Sequence, residues 1–189
     1  MKKYFITGLL ICAGGASMAA GTQPGNDMTA SLFPWVRTLH ILMAALWLGA
    51  GALLTLYVLP TLRRLGAAGQ PTLRSLEGLG LSRFMAAIGG LTLLSGLWLY
   101  WTLTAGLATA AIRSPSGIVF GLGALAGILA GIVAGAVISR SIKRLDALGE
   151  RSADGPEALA LHHRIARASR LALALLLVAV VAMSLGHTA

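Results

Sequence analysis

Acidic residues are what this chain has least of. Six Asp and Glu stand against 15 Lys and Arg in 189 residues, a formal net charge of +9. None of the six falls in a long apolar stretch. Carboxylate acid–base chemistry, and transport coupled through a buried carboxylate, therefore lack their main actor. Cysteine is nearly absent as well. The single Cys12 lies in an N-terminal segment that reads as removable, which excludes disulfides, iron–sulfur clusters and thiolate metal sites from a processed chain. Ile11 precedes it where a lipoprotein signal wants a small residue, so Cys12 does not read as a lipidation site. The glycines match no phosphate-binding loop. The basic residues have no aromatic interleaving, so the positive charge does not describe a nucleic-acid surface.

What the chain has in quantity is apolar sequence: 57% of its residues are hydrophobic and the mean hydropathy is +0.81. Four stretches, roughly 34–59, 84–108, 117–139 and 168–187, approach or exceed the ~20 residues a spanning helix needs. The expected fold is an all-α membrane protein, a four-transmembrane-helix bundle over 34–189 preceded by a cleavable signal peptide. That signal reads from Lys2 and Lys3, the apolar run Tyr4–Ala13 and the small residues Gly14–Ala20, with cleavage after Ala19. An exported tail, 20–33, follows.

Charge orients this arrangement. The connection 61–83 carries Arg63, Arg64, Arg74 and Arg83 against Glu77, and the region Arg140–Arg170 carries seven Arg or Lys. The middle connection has only Arg113, and the C-terminal tail has none. By the positive-inside rule, the loops 61–83 and 140–167 are cytoplasmic and both mature termini periplasmic, in a bacterial inner membrane. Ser139–Gly149 and Glu157–Arg170 have helical spacing, split by the turn cluster 152–156, so the third and fourth helices are expected to extend into the cytoplasm. Adjacent residues on a helix point about 100° apart, so His162 and His163 in this region do not share one site and read as solvated or headgroup-facing. Gly123, Gly127, Gly131 and Gly135 fall on one helical face and predict close helix packing. The neighbour is either another span or a second copy, giving a homo-oligomer.

The remaining chemistry gathers in the outer half. His40 lies about two turns into the first span, with Met43 and Trp47 in the same stripe. His187 ends the fourth span, with Met183 one turn before it. Ionisable groups within spans are costly and usually carry a task. Haem b fits this set first: an axial His from one helix with His or Met from another, for electron transfer with a membrane or periplasmic redox partner. Arg37, one turn outward of His40, would pair with a propionate or simply anchor the interface. Copper is the alternative, held or conducted by His40, His187, Met43 and Met183, since Cu(I) accepts imidazole and thioether. A metal-free proton relay is a further option. A cofactor-free structural subunit is the plainest one, with His187 lying among headgroups and Met as core filler.

Leu39-His40, then six residues, then Trp47-Leu48-Gly49, with Leu59-Pro60 closing the helix, resembles the opening helix of the copper resistance protein D superfamily of small membrane proteins. A similar His-x6-Trp spacing opens the HemJ-type protoporphyrinogen oxidases, which are four-helix haem proteins. Residues 95–101, Ser-Gly-Leu-Trp-Leu-Tyr-Trp, look like the second helix of bacterial relatives in that superfamily. The resemblance covers the first two spans and the four-span layout. It implies that His40 corresponds to the first-helix haem ligand. Thr61 follows Pro60 where the HemJ type has arginine, so the resemblance reaches a histidine-bound redox centre and stops short of oxidase chemistry.

Overall fold

A computed structural model describes residues 27–148 and 155–186. The signal peptide and most of the exported tail lie outside the described residues, as does His187. The chain divides into two units, 1–32 and 33–189. Of the first, residues 27–32 are described and are helical, with Ser31 Oγ donating to Met28 O at 2.9 Å. The second unit holds everything else.

Every regular element among the described residues is helical. Helix α1 (Asp27–Leu53) runs through a π-helical stretch (Leu54–Val58) into α2 (Leu59–Arg64). The helix begins seven residues before Pro34, so that proline sits inside it and not in its opening turn. Nothing in Met28–Phe33 breaks a helix, and so the tail expected to reach residue 33 is helical from 27 onward. A short 3-10 turn (Gly66–Ala68) leads to α3 (Gly69–Gly78). Gly80, at φ 88°, then turns the chain into α4 (Leu81–Leu103). A positive φ of that size suits glycine, which has no Cβ to clash.

Helix α4 stops at Leu103, short of the residue 108 that hydropathy indicates. Residues 104–111 are small and mostly apolar, and so they look like membrane sequence. Their backbone is not helical throughout: Ala105, Gly106 and Leu107 all have positive φ. Thr104 Oγ1 donates to Tyr100 O at 2.7 Å and accepts from Leu107 N at 3.3 Å, closing the helix end with its own side chain. One turn, α5 (Thr109–Ile112), precedes α6 (Pro115–Ile132). Ser114 caps α6 by accepting from Gly117 N at 3.1 Å, and Pro115 occupies the position where a missing N–H costs nothing. A second π-helical stretch (Val133–Ile138) joins α6 to α7 (Ser139–Leu148), and α8 (Pro156–Leu185) closes the fold.

Among the described residues, four continuous helical segments are long and apolar enough to cross a membrane: Met28–Arg64, Leu81–Leu103, Pro115–Leu148 and Pro156–Leu185. At 1.5 Å per residue, ~20 residues cross the hydrocarbon. The 37-, 34- and 30-residue segments therefore overshoot it, and the expected helical extensions of the third and fourth spans are present. Only 11–28% of each segment's most apolar window is buried, leaving outward faces rich in Leu, Ile and Val. A soluble bundle hides those residues, whereas lipid is a suitable solvent for them. The first segment is the least buried.

Packing shows which connections share an end. Leu62, Leu73, Leu145, Ala158, Leu161 and Ile165 form one core cluster, so the end of the first span, α3, α7 and the start of α8 meet. At the opposite end Phe120 lies against Gly186, Tyr100 Oη donates to Gly117 O at 3.3 Å, and the Phe33 and Trp98 rings are 6.4 Å apart. The spans thus alternate up and down, and the two basic connections lie together. Between these ends, a central cluster of Trp47, Ile88, Ala130 and Leu176 draws on all four spans. The α6–α8 pair packs most extensively. A Cβ on Gly123 would touch Ala179 O, Ala182 Cβ and Met183 Cγ at 3.3 Å, and one on Gly131 would lie 2.9 Å from Leu93. The upper three glycines of that row therefore pack helices of the same chain, while Gly135 meets nothing within 4 Å.

Candidate cofactor site around His40

His40 is buried, at 8% exposure, where α1 faces α4. Its Nδ1 lies 2.9 Å from Thr92 O and 3.1 Å from Ser95 Oγ. A carbonyl only accepts, so Nδ1 carries the proton and donates to it. Ser95 Oγ directs its own hydrogen along α4 to Leu91 O at 2.6 Å, which leaves its lone pairs toward the imidazole. In the neutral ring Nε2 then holds a lone pair, and among the described residues no hydrogen bond occupies it. Metal-bound imidazoles are typically held this way, with the distal N–H on a carbonyl that sets the tautomer and the ring plane.

The ring fits because of a glycine. A Cβ on Gly96 would lie 2.7 Å from His40 Cε1 and 3.2 Å from Nδ1. Two turns deeper, Trp47 is 5% exposed and rests on Gly89 in the same manner, with 3.0 Å from the would-be Cβ to Cε2. His40, Trp47, Gly96, Gly123, Gly127 and Met183 all border one small space of about 60 Å³. The walls come from all four spans and, apart from His40 and Thr92, are apolar or small.

The structure thus brings together His40, Met183 and Trp47 of the residues read from sequence. It does not bring Met43 with them: Met43 packs against the Trp47–Ile88 cluster and does not border the space. Arg37 is half-buried one turn away and does not border it either. His187 lies beyond the described residues, so the shared space is defined from the fourth span by Met183. No group of three or more His, Cys, Asp and Glu side chains suited to a metal occurs among the described residues, so any ion here would rely on imidazole and thioether. Serine and threonine in a span, here Thr92 and Ser95, are expected to be bonded within their own helix. They are, since Thr92 Oγ1 donates to Ile88 O at 2.7 Å, but Thr92 O and Ser95 Oγ also seat the imidazole. The Ser95-Gly96 pair was the one available signal, because a backbone carbonyl is the same in every residue.

The His40 space, about 60 Å³, is small beside the roughly 300 Å³ at which drug-sized pockets start. At the basic end His162 and His163 diverge as their spacing requires: His162 borders a cleft with Arg64 and Arg170, and His163 Nε2 lies 3.2 Å from Arg63 Nη2.

Fold and site together define a multi-pass, all-α membrane protein with a buried, oriented imidazole between its spans. Compared with known family models, curated proteins and solved structures, the chain finds no match.

Proposed function

We propose that this protein binds copper, as Cu(I), through His40 Nε2 and the Met183 thioether, in the periplasmic half of a bacterial inner membrane. The observation that carries the reading is the His40 ring, with Nδ1 held on Thr92 O and Met183 bordering the same small space. Imidazole with thioether is a soft donor set that suits Cu(I). Most of the wall is apolar, and Thr92 O orients the ligating ring. His187, four residues beyond Met183, is the further donor this reading assigns. The orientation follows from the two basic connections sharing the end opposite His40, which the positive-inside rule assigns to the cytoplasm, and from the N-terminal export signal. The resemblance of Leu39–Gly49 to the copper resistance protein D superfamily points the same way.

Haem b is the second reading. It is supported by the His-x6-Trp resemblance and by the low burial of the first span, the element best able to yield to a macrocycle. Purification from cells supplied with both copper and haem, followed by metal analysis and an absorption spectrum, tests the pair. Copper is expected to co-purify in stoichiometric amount, to be lost in His40→Ala and Met183→Leu, and to survive Met43→Leu. A Soret band lost in His40→Ala would move the assignment to haem. A colourless protein without metal would leave the structural-subunit reading.

A further inference from the structure

Two further spaces lie on the side of Trp47 away from His40. One is an apolar cavity of about 360 Å³ reached by all four spans, with Gly51, Gly90, Ala134, Gly135 and Leu173 in its wall. A Cβ on Gly51, Gly90 or Gly135 meets nothing within 4 Å. Both π-helical stretches border it, and such widened turns recur at functional sites. Its one carboxylate, Glu77, accepts from Ser82 Oγ at 2.9 Å. The other space is a cleft of about 400 Å³ formed by Arg63, Arg64, His162 and Arg170 over Leu59 and Ile165. Thr55 and Leu59 border both, so a single turn of the first span divides the cleft from the cavity.

The cleft's charge is uncompensated among the described residues. An ion pair between described residues joins Arg74 to Asp146, and neither residue borders the cleft. Arg63 is bonded to His163, which brings no negative charge. The cavity has the opposite chemistry: walls that lose dispersion contacts wherever nothing fills them.

We propose that cleft and cavity form one binding site for an anionic phospholipid, its phosphate held by Arg64, Arg170 and Arg63 and one acyl chain lying in the apolar cavity. Arginine forks match phosphate oxygens in pairs, and basic pockets between spans on the cytoplasmic side attract anionic headgroups. A phosphate group within one helical turn of a space for a chain is lipid chemistry, and the bilayer supplies it at high local concentration. Thr55 and Leu59 are the residues the chain passes. This site does not depend on a metal at His40.

The test is thermal unfolding of the full-length protein in detergent, titrated with phosphatidylglycerol, with phosphatidylcholine of the same chains, and with inorganic phosphate. Phosphatidylglycerol is expected to raise Tm, and phosphatidylcholine to bind at least roughly tenfold more weakly. Arg64→Gln with Arg170→Gln is expected to lose about tenfold in phosphatidylglycerol affinity. Arg64→Lys with Arg170→Lys keeps the charge should the first pair fail to fold, and is expected to lose several-fold. Gly90→Leu, which fills the cavity, is expected to weaken phosphatidylglycerol without lowering the lipid-free Tm, and Gly135→Leu repeats that test. Arg113→Gln, in the other connection, should change nothing. Equal response to both lipids, an equal response to inorganic phosphate, unchanged affinity in the arginine pairs, or full affinity in both cavity-filling variants would each overturn the proposal.

Discussion

The two ends of the bundle are built from the same four spans and the same small residues, yet they pack in opposite ways. From the centre to the His40 end, side chains cover the glycines: His40 covers Gly96, Trp47 covers Gly89, Met183 covers Gly123 and Phe120 covers Gly186. At the basic end Gly51, Gly90 and Gly135 have no such neighbour, and about 360 Å³ of space results. A glycine removes a side chain from its own helix and thereby permits close approach. Whether the space closes depends on what the facing helix sends into it. One end receives rings and a thioether, while the other packs its Leu62–Leu145–Ile165 cluster beside a space that stays open and has its charges at the rim.

Trp47 divides the two ends, bordering both the His40 space and the large cavity. Trp47→Ala is expected to have the largest effect, joining the two spaces and costing about 3–5 kcal/mol of stability. Equilibrium unfolding in detergent measures it, and a loss below roughly 1 kcal/mol would mean that the ends are not separately packed.

A pair of identical substitutions with opposite signs sharpens the contrast. Gly96→Ala places a Cβ 2.7 Å from His40 Cε1 and should cost about 1–3 kcal/mol, together with the metal binding proposed above. Gly90→Ala, six residues earlier on the same helix, meets nothing and should gain roughly 0.5–1 kcal/mol from helix propensity alone. Parallel unfolding curves decide this, and a loss at both positions would remove the distinction between a filled and an open glycine.

The smallest effect belongs to the rim of the basic end. Arg74 and Asp146 pair at 3.0 Å, but their side chains are 38% and 60% exposed. Asp146→Asn should shift stability by less than ~0.5 kcal/mol, and by less still at high salt. A larger shift would show that the basic end is held by its charges and not by the Leu62–Leu145–Ile165 cluster.

Much of this was readable along one dimension. Apolar runs of sufficient length marked four spans because the bilayer sets a fixed thickness for any helix that crosses it. The Arg and Lys distribution put the first and third connections on one side, and Leu62, Leu73 and Leu145 do meet there. His40 drew notice because an ionisable ring in an apolar run is costly, and it is buried and hydrogen-bonded as that cost requires. The end of α4 was not readable, because 104–111 are as apolar as a span while Ala105, Gly106 and Leu107 turn on backbone angles that hydropathy does not record.

Only the tertiary structure decided the rest, and each case depends on how a helix is rotated and what faces it. Met43 and Met183 are both candidate copper ligands in sequence, yet Met183 borders the His40 space and Met43 does not. The partner of Nδ1 is a main-chain oxygen, which every residue carries and no sequence distinguishes. Gly131 and Gly135 belong to one regular row, but one lies against Leu93 and the other borders open space. Periodicity states which residues share a face. The neighbour that face meets comes from other parts of the chain and is settled when the four spans pack.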